Sequence, residues 1–179
     1  EYNKHSLAYN LPAVVTLNGV LKKDKLQVAF QKLIQRYSNL RTSFEFVEGN
    51  PVQRIVPEVA FSITAIEKEE DLNIAIKNFI KPFDLHQAPL LRVGITSISD
   101  QEHVMIIDTH HIISDEVTNG LLLRDLISLY KGETLSELQI QYQDYVMWCL
   151  KEKQQEEILK QKEYWLNKFS DEVPTLQLP

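Results

Sequence analysis

Glycine, cysteine and long apolar runs are all scarce in this 179-residue chain, and each scarcity excludes a class of protein. The five glycines form no GxGxxG or P-loop pattern, so a glycine-rich loop that cradles phosphate is not indicated. The single cysteine, Cys149, cannot form an internal disulfide and is typical of a reducing compartment. No signal peptide is visible, and no apolar run approaches the roughly 20 residues of a transmembrane helix. These observations predict a cytoplasmic protein.

Positive charge is also in short supply. The chain has 19 lysines and arginines against 25 aspartates and glutamates, a formal net charge of −6. Such a surface would release few counterions from nucleic-acid phosphates, so no nucleic-acid partner is expected. The length suits one domain with a sizeable core, and the shares of apolar (44%) and charged (25%) residues are those of a globular protein.

Hydrophobic periodicity predicts strands and helices that mix without strict alternation. This succession favours an α+β fold, a two-layer sandwich of helices on a largely antiparallel sheet. Asp24 is the predicted N-cap of the first helix, and Tyr142, Tyr145 and Trp148 recur at helical spacing typical of core residues. Strands are predicted over 13–20, 42–47, 52–56, 59–66, 91–99 and 103–109, and helices over 22–40, about 71–81, 117–130, 143–151 and 156–169.

The most informative stretch is the hexapeptide HHIISD at residues 110–115, which follows the strand over 103–109. Neighbouring residues of an extended chain point to opposite faces, so only one of the two histidines can share a face with the loop beyond. A histidine at a strand end, with an aspartate four positions later, places a base and locks the turn that carries it. Acyl transfer needs this arrangement, because a neutral imidazole takes a proton from the attacking amine, hydroxyl or thiol. Taken alone, the pattern also fits two polar residues satisfied by backbone partners.

Three separated segments resemble one family. Residues 36–44 (RYSNLRTSF) resemble the RHExLRTxF motif of nonribosomal peptide synthetase condensation domains, and residues 110–116 (HHIISDE) resemble their HHxxxDG motif. Residues 142–148 (YQDYVMW) are similar to their YxD(Y/F)AxW motif. The resemblance implies that residues 1–179 form the N-terminal lobe of such a domain, one of two chloramphenicol-acetyltransferase-like lobes that enclose a tunnel. The start is then truncated, the second lobe is absent, and residues 170–179 form an extended boundary segment.

The resemblance also implies roles for individual residues. His111 matches the family's second histidine, which orients or deprotonates the attacking α-amine; because an α-amine has a pKa near about 8, orientation matters more than basicity. His110 faces the other side of the strand and is expected to be structural. Asp115 and Arg41 are expected to form a bidentate ion pair that holds the loop. Arg36 is expected to be structural too.

Glu116 departs from the family pattern, which has glycine at this position. Glycine can adopt φ > 0 and allows close backbone approach, whereas glutamate adds bulk and negative charge. A carboxylate beside a developing oxyanion opposes it, so Glu116 argues against full condensation activity. No metal is expected, because His111 and Asp115 supply only two ligands and His103 would be a third only if the fold brought it close.

By resemblance, the complete enzyme joins an acyl or peptidyl thioester to an aminoacyl amine, as in antibiotic biosynthesis. Both substrates arrive on phosphopantetheine arms of carrier-protein domains, and no cofactor is bound directly. The implied partners are those carrier domains and the missing C-terminal lobe, without which the isolated lobe is expected to be inactive. Two alternatives stay open: a coenzyme-A-dependent HxxxD acyltransferase, and a degenerate module that docks carrier or tailoring proteins.

Overall fold

The computed structural model describes residues 6–67, 71–171 and 175, and the extended segment predicted over 170–179 lies mostly outside them. The chain divides into two compact units, Glu1–Gln139 and Ile140–Pro179. The elements are β1 (Asn10–Asn18), α1 (Lys23–Arg36), a 3-10 turn (Ser38–Arg41), β2 (Thr42–Val47), β3 (Asn50–Ile55), β4 (Thr64–Ala65), α2 (Leu72–Phe79), β5 (Leu91–Ser99), β6 (Glu102–His110), α3 (Glu116–Lys131), α4 (Tyr142–Cys149) and α5 (Glu152–Lys168). Strands β1 to β6 and helices α1 to α3 belong to the first unit, and α4 and α5 to the second.

The main sheet has the strand order β1-β6-β5-β4, so β6 is hydrogen-bonded on both sides. Both β1 and β5 run antiparallel to β6, whereas the two-residue β4 runs parallel to β5. Strands β2 and β3 form a separate antiparallel hairpin. The prediction of an α+β fold with a largely antiparallel sheet is therefore confirmed.

The core of the first unit lies between the sheet and helices α1 and α3. Apolar residues recur along α1 at three- and four-residue spacing, which gives the helix one apolar face. This face and the inner face of α3 pack against buried side chains of β5 and β6. Fully burying one such side chain contributes about 1.5–3 kcal/mol. The buried residues are Leu26, Ala29, Phe30, Leu33 and Ile34 of α1, Leu122 and Leu126 of α3, and Leu91, Val93, Ile95 and Met105 of the sheet.

Helix α1 is shorter than the helix predicted over 22–40, because it ends at Arg36. Asp24 is not the N-cap; it lies in the first turn, where a negative charge interacts favourably with the helix dipole. Tyr37 leaves the helix with an extended backbone, and its hydroxyl donates to a carboxylate oxygen of Asp125 on α3 at 2.7 Å. The apolar periodicity continues beyond the residue at which the backbone leaves the helix, so the predicted C-terminal end of the helix was wrong by four residues.

The strand predicted over 59–66 is wrong except at Thr64–Ala65. A side chain of α1 takes the place of a strand partner at Phe61 and Ile63. The Nε2 of Gln27 donates to the carbonyl oxygen of Phe61 at 2.9 Å, and its Oε1 accepts from the backbone N–H of Ile63 at 2.8 Å. The segment thus has the apolar alternation of a strand, but the backbone groups of Phe61 and Ile63 make their hydrogen bonds to the Gln27 side chain.

The second unit consists of helices α4 and α5. Tyr142, Tyr145 and Trp148 form a row on α4, with successive ring centroids 6.0 and 5.9 Å apart. About half of each side chain is exposed, so their prediction as core residues is wrong for this chain. None of the helices in the described ranges has the length and apolar character that crossing a membrane requires.

A buried carboxylate joins helices α1 and α3 at the end of the core. Asp125 Oδ2 lies 3.0 Å from Arg36 Nε, and Asp125 Oδ1 lies 3.0 Å from Arg124 Nη2. Burial acts to raise the pKa of Asp125, but the hydrogen bonds from Tyr37, Arg124 and Arg36 outweigh it and the pKa is lowered. Arg36 therefore makes the structural contact between helices that fits its expected role.

We expect Asp125→Ala to lower the free energy of unfolding by about 3 kcal/mol, because Arg36 would stay largely buried after losing its carboxylate contact. The lowered pKa means that the charged form of Asp125 stabilises the fold above about pH 4, and this contribution is lost as the pH falls further. Urea denaturation followed by circular dichroism measures the loss.

The matched control is Glu45→Ala, which removes an exposed partner 3.9 Å from Arg54 and should change the free energy of unfolding by at most about 0.5 kcal/mol. Equal losses in the two variants would contradict a special role for the buried pair.

Candidate active site

The site is built where β6 ends and the chain turns into α3. The backbone N–H of His110 donates to the carbonyl of Leu90 at 3.0 Å, and that of His111 donates to the carbonyl of Tyr9 at 2.8 Å. The N–H of Ile113 then donates back to the His110 carbonyl at 3.1 Å, which closes the turn. The strand neighbours of β6 therefore fix the backbone of both histidines.

His110 is buried, with 6% of its surface exposed. Its ring lies between those of Tyr9 and Phe83, with centroid distances of 6.0 and 6.1 Å. The Nδ1 of His110 accepts a hydrogen bond from the backbone N–H of Ile112 at 3.0 Å. Burial, and secondly the nearby His111, lower the pKa of His110, so the ring is held neutral. These contacts hold the His110 ring in place; its structural role stays a prediction.

His111 is exposed on the other side, as the opposite-face argument predicts. Its Nδ1 lies 2.8 Å from the carbonyl oxygen of Ser114. A carbonyl can only accept, so Nδ1 carries the hydrogen and the lone pair of the neutral ring is on Nε2. His111 thus presents a fixed, solvent-accessible base. Its role in catalysis stays a prediction.

The turn that carries His111 is anchored on two sides. The buried hydroxyl of Ser114 lies 2.9 Å from Thr109 Oγ1 and 3.2 Å from the His110 carbonyl oxygen. The Nδ2 of Asn39, in the 3-10 turn, donates to the carbonyl of Ile113 at 2.8 Å. A base held by such supporting contacts keeps the orientation that a reaction requires.

Asp115 caps helix α3 and does not pair with Arg41. Its Oδ1 accepts from the backbone N–H of Thr118 at 2.7 Å and from the Thr118 hydroxyl at 2.6 Å. The hydrogen bond from the Thr118 side chain is the largest cause of a lowered Asp115 pKa, followed by the Thr118 N–H, with a smaller contribution from His111. The predicted Asp115–Arg41 ion pair is therefore wrong: the carboxylate has a local partner, the unsatisfied amides of a helix start.

Arg41 instead binds backbone carbonyls. It donates to Ile34 and Gln35 at 3.2 and 3.4 Å, and to Val56 and Pro57 near the end of β3. The last carbonyls of a helix carry partial negative charge and have no partner within the helix, so they attract an arginine from the following turn. Arg41 is thus structural, but through carbonyls rather than a carboxylate.

Glu116 is the first residue of α3 and is exposed. Its backbone is helical rather than left-handed, so this position does not require the conformational freedom of glycine. The departure from the family pattern therefore changes side-chain bulk and charge at this position and does not strain the backbone.

No three histidine, cysteine, aspartate or glutamate side chains converge to hold a metal ion within the ranges that the structure describes. His103, considered above as a third ligand, lies at the opposite end of β6 from His110, about 23 Å along the strand. It cannot join His111 and Asp115 in one site.

Sequence reasoning missed Asp108, which is fully buried two residues before His110. It pairs with Arg92 of β5 at 3.5 Å. A carboxylate within an apolar strand, on the same face as His110, was the available signal. Sequence reasoning also missed an apolar pocket of about 210 Å³ between the sheet, α1 and α3, whose lining includes Thr109 and Leu122.

Replacing Asp115 by asparagine should lower the melting temperature at neutral pH and have little effect in acid. Because its pKa is lowered in the fold, the ionised cap stabilises the protein above the unfolded pKa of about 3.9, and this stabilisation is lost as the pH falls through the folded value. Thermal unfolding of both proteins from about pH 7 to about pH 3 measures the difference. Asp100→Asn, in a turn outside any helix, is the control; a pH-independent difference for Asp115→Asn would contradict the assignment.

Replacing His110 by glutamine should make the protein less sensitive to mild acid. The pKa of His110 is lowered, so below about pH 6.5 the unfolded chain binds a proton that the folded ring resists, and the wild type loses stability. The difference in melting temperature by which the wild type exceeds His110→Gln should therefore become smaller from about pH 7 to about pH 5. His86→Gln removes an exposed imidazole as a control; an advantage that widens in acid would contradict the account.

Comparison with known proteins identifies the family to which the chain is similar. The sequence model of the condensation-domain family, "Condensation domain", matches residues 1–179. The chain is 44% identical over 174 residues to gramicidin S synthase 2 of Aneurinibacillus migulanus, covering 97% of the chain and 4% of that protein. It is 45% identical over 173 residues to surfactin synthase subunit 1 of Bacillus subtilis (strain 168), covering 96% and 5%. The chain thus spans only a small part of these relatives.

Solved structures show the same fold. The X-domain in the complex of the X-domain and OxyB from teicoplanin biosynthesis superposes with a TM-score of 0.86 at 24% identity, covering 99% of this chain and 42% of that one. The starter condensation domain of rhizomide synthetase RzmA gives a TM-score of 0.73 at 19% identity, covering 92% and 43%. The predicted chloramphenicol-acetyltransferase-like fold is confirmed. From the family match over its whole length and these relatives, this chain belongs to the condensation-domain family.

Proposed function

We propose that this chain forms the N-terminal lobe of a condensation domain that makes a peptide bond between an acyl or peptidyl thioester and an aminoacyl amine. The observation that carries the proposal is His111, an exposed imidazole whose Nδ1–H is held by the Ser114 carbonyl, leaving the Nε2 lone pair free. In the reaction the amine nitrogen bonds to the thioester carbonyl carbon, and the C–S bond breaks. The amine loses a proton and the thiol gains one.

His111 Nε2 serves this reaction by accepting a hydrogen bond from the amine. An α-amine with a pKa near about 8 is partly unprotonated at neutral pH, so the main contribution is to hold the nitrogen lone pair toward the carbonyl. As the new bond forms, the nitrogen becomes acidic and the same ring takes the proton.

This function requires partner domains that bring the substrates to the site. Carrier-protein domains would deliver both substrates on phosphopantetheine arms, and a C-terminal lobe would complete the substrate tunnel. The chain itself would bind no cofactor, nucleic acid or membrane, and the enzyme would work in the cytoplasm. Solved chains of the same fold are more than twice as long, which supports a further lobe. The isolated 179-residue chain is therefore expected to form no amide.

A second candidate is a condensation-like module that docks a carrier or tailoring protein without catalysis. Two observations favour it. Glu116 places a carboxylate in the first turn of α3, next to the turn that carries His111, where it would oppose an oxyanion. The X-domain that superposes on this chain was solved in a complex with OxyB.

Amide formation by the natural polypeptide that contains this chain tests both candidates. Donor and acceptor are loaded on carrier proteins, and product is followed by mass spectrometry for wild type, His111→Ala and Glu116→Gly. We expect product from the wild type and a kcat lower by about 10²- to 10⁴-fold for His111→Ala. An acyl-coenzyme A donor tests the acyltransferase alternative.

Two matched controls show whether losing any exposed imidazole, or any carboxylate in the first turn of a helix, changes amide formation. His86→Ala removes an exposed imidazole, and Glu152→Gly makes the same substitution in the first turn of α5. Product restored by Glu116→Gly from an inactive wild type would identify a condensation fold whose chemistry is blocked at that side chain. No product from wild type, His111→Ala or Glu116→Gly would favour docking, and transfer from acyl-coenzyme A alone would favour the acyltransferase.

A further inference from the structure

A buried polar network lies behind the histidines, on the face of β6 that carries His110. Asp108 shares that face because it lies two residues earlier on the strand. The sheet register sets Arg92 of β5 opposite Asp108, and Asn10 of β1 opposite His110. Arg92 Nη1 lies 3.5 Å from Asp108 Oδ2, and Asn10 Nδ2 donates to the same oxygen at 2.8 Å. Asn10 Nδ2 also lies 2.9 Å from the carbonyl oxygen of Lys81.

Arg92 fixes the loop over residues 81–83, which precedes β5. Its guanidinium donates to the carbonyl oxygens of Lys81 and Pro82, the latter at 3.1 Å. The guanidinium carbon lies 3.8 Å from the centroid of the Phe83 ring, a close cation–π contact. One side chain thus holds both the backbone and the aromatic ring of this loop.

Phe83 in turn positions His110. The two rings meet edge to face, with an interplanar angle of 86° and 6.1 Å between centroids, and both side chains are buried. His110 Nδ1 accepts the N–H of Ile112, the residue directly after His111. Rotation of the His110 ring would therefore break a hydrogen bond of the turn that carries the predicted base.

Stability alone gives no reason for this network. Asp108 is fully buried, and its Oδ1 has no hydrogen-bond partner among the described residues. Burial is the largest influence on the carboxyl and raises the pKa of Asp108 despite Asn10 and Arg92. Apolar residues of similar size often stabilise a protein as well as a buried ion pair does, whereas charged groups specify one geometry.

We propose that Arg92, held by Asp108, is a positioning residue for His111 that acts through Phe83 and His110. The proposal rests on the condensation function proposed above. Arg92 does not touch the substrate; it sets the orientation of the turn from which the imidazole of His111 projects. Loss of Arg92 should therefore lower kcat while leaving the KM for the carrier-bound acceptor nearly unchanged.

The test is steady-state amide formation by the natural polypeptide, with kcat expressed per folded molecule after thermal unfolding of each variant. Arg92→Ala should lower kcat by about 10- to 100-fold, and the KM for the acceptor should change by less than about threefold. Arg92→Lys keeps the charge and should recover part of the loss, and millimolar guanidinium should raise kcat of Arg92→Ala but not of the wild type. Arg54→Ala, which removes an exposed arginine, should behave as the wild type.

Phe83→Leu keeps the apolar volume and removes the ring that joins Arg92 to His110, so it should also lower kcat. This variant tests the positioning role if Arg92→Ala does not fold. An unchanged kcat per folded molecule in Arg92→Ala or, if that variant does not fold, in Phe83→Leu would overturn the inference. If this occurs while His111→Ala is inactive, the proposed function stands and only the positioning role fails. A wild type that forms no amide would overturn both.

Discussion

The structure depends on the antiparallel pairing of β6 with strands on both of its sides. This pairing sets the residue at which β6 ends, since Asn10 of β1 lies opposite His110 and Leu91 of β5 lies opposite Thr109. After His110 the chain is no longer paired with a strand, and it turns. The carbonyls and hydroxyls of the strand end make hydrogen bonds with the polar groups of this turn and hold its backbone in place. The position of the candidate base therefore follows from sheet register.

The two faces of β6 have different surroundings. One face carries Met105, Ile107 and Thr109 toward the layer of helices, where burial of apolar surface stabilises the fold. The other carries the apolar Val104 and Ile106 and, toward the end of the strand, Asp108 and His110 among polar and aromatic side chains. Apolar positions can accept substitutions that keep volume, whereas Asp108 and His110 depend on specific donors and acceptors. The predicted base, His111, lies just beyond the end of β6 and is exposed on the side opposite His110.

Local periodicity predicted the elements near the site well. The strand over 42–47, the hairpin of β5 and β6, and α3 lie where apolar spacing and turn residues indicate. The strand over 59–66 failed, because the Gln27 side chain replaced a strand partner, and no local pattern records such a contact. The aromatic row of α4 failed for a related reason: helical spacing identifies an apolar face but not what covers it.

The site was predictable in its residues and less so in its contacts. Strand alternation was enough to place His110 and His111 on opposite faces, and the family resemblance indicated which of them is the exposed one. The predicted pairing of Asp115 with Arg41 was wrong, because both side chains bind backbone groups at helix ends instead. The spacing of a motif does not show that backbone groups compete for its side chains. The buried Asp108 was visible as a lone carboxylate in an apolar strand, but its partner Arg92 follows only from the sheet register.

The most direct test of the central claim is a structure of the natural polypeptide with stable mimics of the thioester donor and the amine acceptor bound. We expect His111 Nε2 to lie within about 3 Å of the acceptor nitrogen, with Nδ1 still hydrogen-bonded to the Ser114 carbonyl. An acceptor nitrogen bound out of reach of the His111 ring, or a ring turned so that Nδ1 faces the acceptor, would contradict it.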